Sequence, residues 1–80
     1  MIRIVIADDH LLFRSMLEEI LKRDPQLEVI GTCADGEEVL ANYKVWDPDL
    51  ILLDIRMPKR GGIETLKTIK EKTPQIKVVM

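Results

Sequence analysis

Two hydrophobic patterns alternate along the chain. Short runs that are mostly apolar (Ile2–Ala7, Leu27–Cys33, Asp49–Ile55 and Ile76–Met80) are separated by longer stretches whose apolar residues recur at helical spacing. Continuous aliphatic runs suit strands covered on both faces, as in a parallel sheet. In the first helical stretch Phe13, Met16, Leu17, Ile20 and Leu21 fall at i, i+3, i+4, i+7 and i+8, one stripe of a helix. Arg14, Glu18, Glu19, Lys22 and Arg23 are expected on its outer side, and Asp24-Pro25 stops it, because proline lacks the amide hydrogen. In the second, Asp35 is placed to cap and Glu38 to complete a capping box. Val39, Leu40, Tyr43 and Trp46 form its apolar side, with Trp46 as an anchor at the core edge. Asp47-Pro48 breaks it. The third helix is expected to turn Ile63, Leu66 and Ile69 inward and Lys67, Lys70, Glu71 and Lys72 outward, closing at Thr73-Pro74.

The resulting order, β-α-β-α-β-α-β with short connections, predicts one α/β domain over residues 1–80 with a parallel sheet and right-handed crossovers. Composition narrows the class. With 46% hydrophobic and 32% charged residues the chain is too apolar to stay disordered. Its longest strongly apolar run, Leu50–Leu53, is far below the ~20 residues of a membrane helix. A strand begins the chain with no signal peptide ahead of it, and one cysteine admits no disulfide, so a cytoplasmic, soluble protein is expected. Cys33, inside a strand run, reads as a small buried hydrophobe. The net charge of −2 offers no electrostatic case for nucleic acid. Charge is uneven, however: −5 over residues 1–40 and +3 over 41–80.

Three acids stand out. Asp8 and Asp9 follow the carboxyl end of the first strand, and Asp54 lies at the carboxyl end of the third. With a strand order of 2-1-3-4, the connections leave strand 1 in opposite directions and open a crevice at the carboxyl ends of strands 1 and 3. The three aspartates would converge there. Two carboxylates ~4 Å apart repel by roughly 4 kcal/mol at an effective dielectric near 20, so a proton or a cation must intervene. Oxygen ligands favour a hard ion such as Mg²⁺, which at an aspartate serves phosphoryl transfer. Asp8 or Asp9 taken singly could simply cap a helix; Asp54 precedes a Met-Pro-x-x-Gly-Gly loop and is not at an N-cap. His10, the only histidine, is expected in a local hydrogen-bonding role.

The segments Ile-Val-Ile-Ala-Asp8-Asp9-His10, Leu-Ile-Leu-Leu-Asp54-Ile-Arg56-Met57-Pro58 and Gly61-Gly62 resemble the receiver domain of two-component response regulators. The Asp-Asp-His start with Phe13-Arg14 is similar to the NarL/FixJ-type subfamily. The resemblance runs over all 80 residues. It implies a flavodoxin-like three-layer fold, with Asp54 the acceptor of a phosphoryl group from a sensor kinase histidine. It also implies Mg²⁺ held directly by Asp9 and Asp54 and through water by Asp8, with Arg56 giving its backbone carbonyl. Pro58 and Gly61 would shape the loop, proline by fixing φ and glycine by allowing positive φ. Such a module is a phosphoacceptor rather than an enzyme, controlling an output such as transcription.

Receivers have five strands and five helices, and these residues reach only the fourth strand. The expectation is an incomplete domain, without the family's Ser/Thr switch, its strand-5 Lys or a DNA-binding segment. At this size a single core supplies no more than ~3–5 kcal/mol. Bared apolar faces and an open strand edge at Ile76–Met80 lead us to expect self-association, element swapping or a complementing C-terminal segment. The alternative reading is therefore a structural module that no longer transfers phosphate. Other motifs fail. Gly31–Gly36 has P-loop spacing, but Glu37-Glu38 follow it instead of Lys-Ser/Thr. A haloacid-dehalogenase-type phosphohydrolase would place a second Asp where Arg56 stands.

Overall fold

The computed structural model describes residues 1–80. Seven elements follow one another: β1 (Ile2–Ala7), α1 (Leu11–Lys22), β2 (Leu27–Cys33), α2 (Gly36–Trp46), β3 (Leu50–Leu53), α3 (Gly62–Lys72) and β4 (Lys77–Val79). The sheet is wholly parallel, in the order β2-β1-β3-β4. With α1 on one face and α2 and α3 on the other, this is the flavodoxin-like three-layer arrangement expected from the sequence. β3 and β4 are shorter than their apolar runs: Asp49, Asp54 and Ile55 lie outside β3, and Ile76 and Met80 outside β4.

Alternation along the strands divides the buried residues between two faces. Val5, Ala7, Ile51 and Leu53 face α2 and α3, where they form one core with Cys33, Val39, Tyr43, Ile69 and Ile76. Local chemistry shapes that side. The Asp35 carboxylate accepts the Glu38 amide at 2.8 Å, satisfying one of the orphan donors at the start of α2. The Glu38 carboxylate reaches back to the amide of Ala34, one residue before the cap, so the capping box is closed slightly early. Trp46 lies flat over Gly31, where a Cβ would run into the indole ring. The hydroxyl of buried Tyr43 pairs with Thr73 Oγ1 at 3.2 Å.

On α3 the inward residues are Gly62, Thr65 and Ile69, while Ile63 is exposed, contrary to the expectation from its hydrophobicity. The reason is close approach at the start of the helix. Gly62 sits against the backbone of Asp54 and Ile55, and Thr65 packs on Gly36 of α2. Small side chains occupy the contact, and Ile63 is turned away from it.

The other face is only half covered. No residue of α1 is buried. Leu17 and Leu21 are half-buried, but Phe13, Met16 and Ile20 of the same stripe are more than half exposed. α1 packs over β1 and β2 and leaves β3 and β4 open. Arg14, expected outside, is half-buried instead: its Nη1 donates to the carbonyls of Asp8 (2.9 Å) and Cys33 (3.2 Å). That bond pair ties the first turn of α1 to the backbone just past β1 and at the end of β2. A groove of about 340 Å³ remains, lined by Ile6, Phe13, Leu17, Leu52, Val79 and Met80. No helix is long and apolar enough to cross a membrane.

Asp35→Ala removes the side-chain cap of α2 without emptying apolar core volume. We expect a loss of about 1 kcal/mol, within the usual 0.5–2 kcal/mol for a lost cap, read as a lower midpoint in urea denaturation with unchanged m-value.

Candidate functional site

The β1–β3 ladder positions the acids. Ala7 pairs with Leu53, and the next amide, that of Asp54, donates to the Ala7 carbonyl at 2.9 Å. On the other side the Asp8 amide donates to the Cys33 carbonyl at 3.0 Å. Parallel strands end on the same rim, so Asp8 and Asp54 emerge side by side from adjacent strands where the strand order reverses. Asp9 and His10 complete the turn into α1. Donor atoms from Asp8, Asp9, His10 and Asp54 all lie within 4.8 Å of one another.

Burial grades the cluster. The Asp8 side chain is 11% exposed, that of Asp9 34% and that of His10 74%. Asp8 Oδ1 accepts the His10 amide at 2.8 Å, locking the turn. His10 Nδ1 stands 3.2 Å from Asp8 Oδ1 and 3.1 Å from Asp9 Oδ1. The hydrogen bond to Asp8, aided by the charges of Asp9 and Asp8, raises the imidazole pKa above its ordinary value. His10 thus takes the local hydrogen-bonding role expected of it. Three carboxylates with no lysine or arginine ion-paired to them suit a hard dication such as Mg²⁺, and Asp8, Asp9 and Asp54 are the residues that would hold it.

The loop after β3 is built on the same rim. The Arg56 amide points back to Asp54 Oδ1 at 3.4 Å, and the Gly62 amide donates to the Ile55 carbonyl at 2.9 Å. Pro58 is exposed and Met57 is buried in the core, pinning the loop from below. The expectation for Gly61 needs correction. Gly61 has φ −69°, open to any residue, and a Cβ there would meet nothing closer than 3.6 Å. Positive φ falls instead on Lys59, at 65°, whose Nζ lies 3.7 Å from Asp35 Oδ2. Gly62 is the glycine the site requires, because a Cβ there would collide with the carbonyl of Asp54.

A scan of the chain against family descriptions matches the response regulator receiver domain over residues 4–80. The chain belongs to that family. Among curated proteins it is 44% identical over 69 residues to protein-glutamate methylesterase/protein-glutamine glutaminase 3 of Syntrophomonas wolfei, covering 86% of this chain and 20% of the relative. It is 40% identical over 79 residues to the transcriptional regulatory protein DegU of Brevibacillus brevis, covering 99% and 34%. Among solved structures, a chain of the CheX–CheY–BeF3–Mg²⁺ complex from Borrelia burgdorferi superposes with a TM-score of 0.90 at 34% identity, covering 96% of this chain and 58% of that one. The chain therefore spans about a fifth to a third of these two curated relatives, one an esterase and the other a transcriptional regulator. Receiver domains are phosphoacceptor modules; the esterase activity of such relatives resides in another domain.

Two residues of this receiver site were not singled out by sequence. Arg14 was read as surface charge, yet it ties α1 to the carbonyls of Asp8 and Cys33. Its place on an otherwise apolar helical face, six residues after Asp8, was the available signal. Gly62 enters the sequence reading only as half of the Gly61-Gly62 pair, with the loop-shaping role given to Gly61, and only the close approach to Asp54 separates the two. Cys33, by contrast, lies where expected. Burial, with the nearby charges of Glu38 and Asp35, pushes its thiol up to about 12. Thiolate is therefore scarce at about pH 8, and Ellman's reagent should leave Cys33 unmodified in the folded protein but titrate it fully in concentrated urea.

Proposed function

We propose that this receiver domain accepts a phosphoryl group at Asp54 from the phosphohistidine of a sensor kinase and that it does so with Mg²⁺. The observation that carries this reading is the position of Asp54: half-buried at the end of β3 and within 4.8 Å of the other two acids. A carboxylate oxygen of Asp54 forms the new bond to phosphorus as the P–N bond to the kinase histidine breaks. Asp9 and Asp54 would hold the cation, with Asp8 through water and the backbone carbonyl of Arg56 as a further oxygen. A cation held by these residues would supply neutralisation of charge on the transferring phosphoryl oxygens. Asp8, locked by the His10 amide, keeps the acidic rim in shape before the donor arrives. The Pro58–Gly61 stretch sets the loop beside the acceptor. The output is transcriptional control, as the name of the DegU relative states for that protein, and the chain works in the cytoplasm without itself contacting DNA.

Beryllofluoride, a phosphoryl mimic, tests this directly. Isothermal titration should show binding that requires Mg²⁺, disappears with EDTA and weakens at least tenfold (about 1.4 kcal/mol) in Asp54→Ala. Binding indifferent to both Mg²⁺ and Asp54 would overturn the reading.

A second reading, that the chain acts as a self-associating or complemented structural module, is favoured by the α1 face. Phe13, Met16 and Ile20 stand 53%, 55% and 55% exposed beside the apolar groove, and the outer edge of β4 is unpaired. Edges and patches of this kind draw in further polypeptide. Sedimentation velocity at micromolar concentration should show a dimer or larger species, which Met16→Glu weakens at least tenfold. A compact monomer throughout that range would rule this out.

A further inference from the structure

We infer that Lys59 is a positioning residue for the phosphoacceptor site, its ion pair with Asp35 clamping the loop between β3 and α3 onto the start of α2. This rests on the reading of Asp54 as a phosphoacceptor served by a cation, and adds to it a residue outside the acidic pocket. The loop needs such a hold. It carries Arg56, whose amide faces Asp54 Oδ1 at 3.4 Å and whose backbone carbonyl is a proposed cation ligand. Yet among residues 55–60 only Met57 is buried.

The second hold is at Lys59. Its φ of 65° is left-handed, a conformation that a Cβ disfavours and that glycine adopts freely. The loop keeps a lysine there, and its Nζ lies 3.7 Å from Asp35 Oδ2. The carboxylate it meets is already fixed: the Asp35 side chain is 10% exposed, and its Oδ1 accepts the Glu38 amide at 2.8 Å. One oxygen therefore caps α2 while the other faces the loop. The backbone beside Lys59 is seated at the same place, since a Cβ on Gly36 would collide with the Arg60 carbonyl. Past that contact the Gly62 amide returns to the Ile55 carbonyl at 2.9 Å. Arg56 is thus held between a fixed start and a return path that rests on α2.

The Lys59 side chain is 65% exposed, so water screens the pair and its contribution to global stability is small. What the pair restricts is where the loop backbone lies. Without it the loop is free to carry the Arg56 carbonyl away from the acids, and cation-dependent binding of a phosphoryl mimic weakens while the fold persists.

Isothermal titration of the 80-residue chain with beryllofluoride in Mg²⁺ tests this on wild type, Lys59→Met, Asp35→Asn, the double variant and Lys59→Arg. Asparagine remains an N-cap acceptor, so Asp35→Asn removes the charge and keeps the start of α2. Lys59→Met and Asp35→Asn should each lower affinity at least threefold, and the double variant no further than either alone. Such non-additivity marks an effect carried by the pair. Lys59→Arg should stay within twofold of wild type. Without any ion, the Arg56 amide resonance should shift in both single variants, and the urea midpoint of Lys59→Met should match that of wild type. The inference fails, and the phosphoacceptor reading stands, if wild type binds and any of these results appears: single variants that bind equally well, losses that multiply in the double variant, an Arg56 amide that stays put, Lys59→Arg as weak as Lys59→Met, or a urea midpoint that falls with the affinity. Absence of Mg²⁺-dependent binding in wild type overturns the phosphoacceptor reading and the inference with it.

Discussion

The hydrogen bond from the Asp54 amide to the Ala7 carbonyl continues the β1–β3 ladder one step beyond its last paired residues, and the site depends on that register. Side chains alternate across a strand, so a slip of one residue would turn Asp54 to the opposite face and separate it from Asp8. The register is itself held by burial. Val5, Ala7, Ile51 and Leu53 must all face α2 and α3 at once, and each is at most 2% exposed. The hydrophobic core on one face thus sets the position of charge at the rim. The acids are brought together against their own repulsion by packing several residues away.

Around that rim, polar contacts replace apolar ones. Asp8 is buried, yet its carboxylate, amide and carbonyl all have partners: His10, Cys33 and Arg14 respectively. Arg14 serves two strands at once, since its other acceptor is the last residue of β2. α1 covers only part of its face of the sheet, and Phe13, Met16 and Ile20 of its apolar stripe stay more than half exposed. One face of the sheet is sealed around Tyr43 and Ile69; the other retains an open groove that begins beside Asp8 and Asp54. The groove and the acidic rim therefore share residues, so whatever covers the groove lies next to Asp8 and Asp54.

The identity of the family agrees with this physical account at each level. Strand order, the reversal point and the acid cluster all occur where an open α/β sheet binds ligands. The two curated relatives differ in what they do, one a methylesterase and the other a transcriptional regulator, while sharing this segment. That is the behaviour of a switch module whose chemistry is separate from its output.

Much of the architecture could be read from the chain alone. Element types and order followed from hydrophobic period, because each strand run is too short and too continuous to be an amphipathic helix. Prolines at 25, 48 and 74 marked the helix ends, and the Asp35 cap marked a helix start, because both act through local backbone chemistry. The convergence of Asp8, Asp9 and Asp54 followed once parallel strands and their order were assumed. What a one-dimensional pattern lacks is the rotation of each helix about its axis. Hydrophobicity placed Phe13, Met16, Ile20 and Ile63 inside, but the first three lie on a sheet face that α1 covers only in part, and Ile63 is turned outward where Gly62 and Thr65 fit a tight crossing that a larger side chain would obstruct. The same limit separates Gly61 from Gly62. Only the approach of another backbone, a tertiary contact with no trace in local composition, decides which glycine the fold requires.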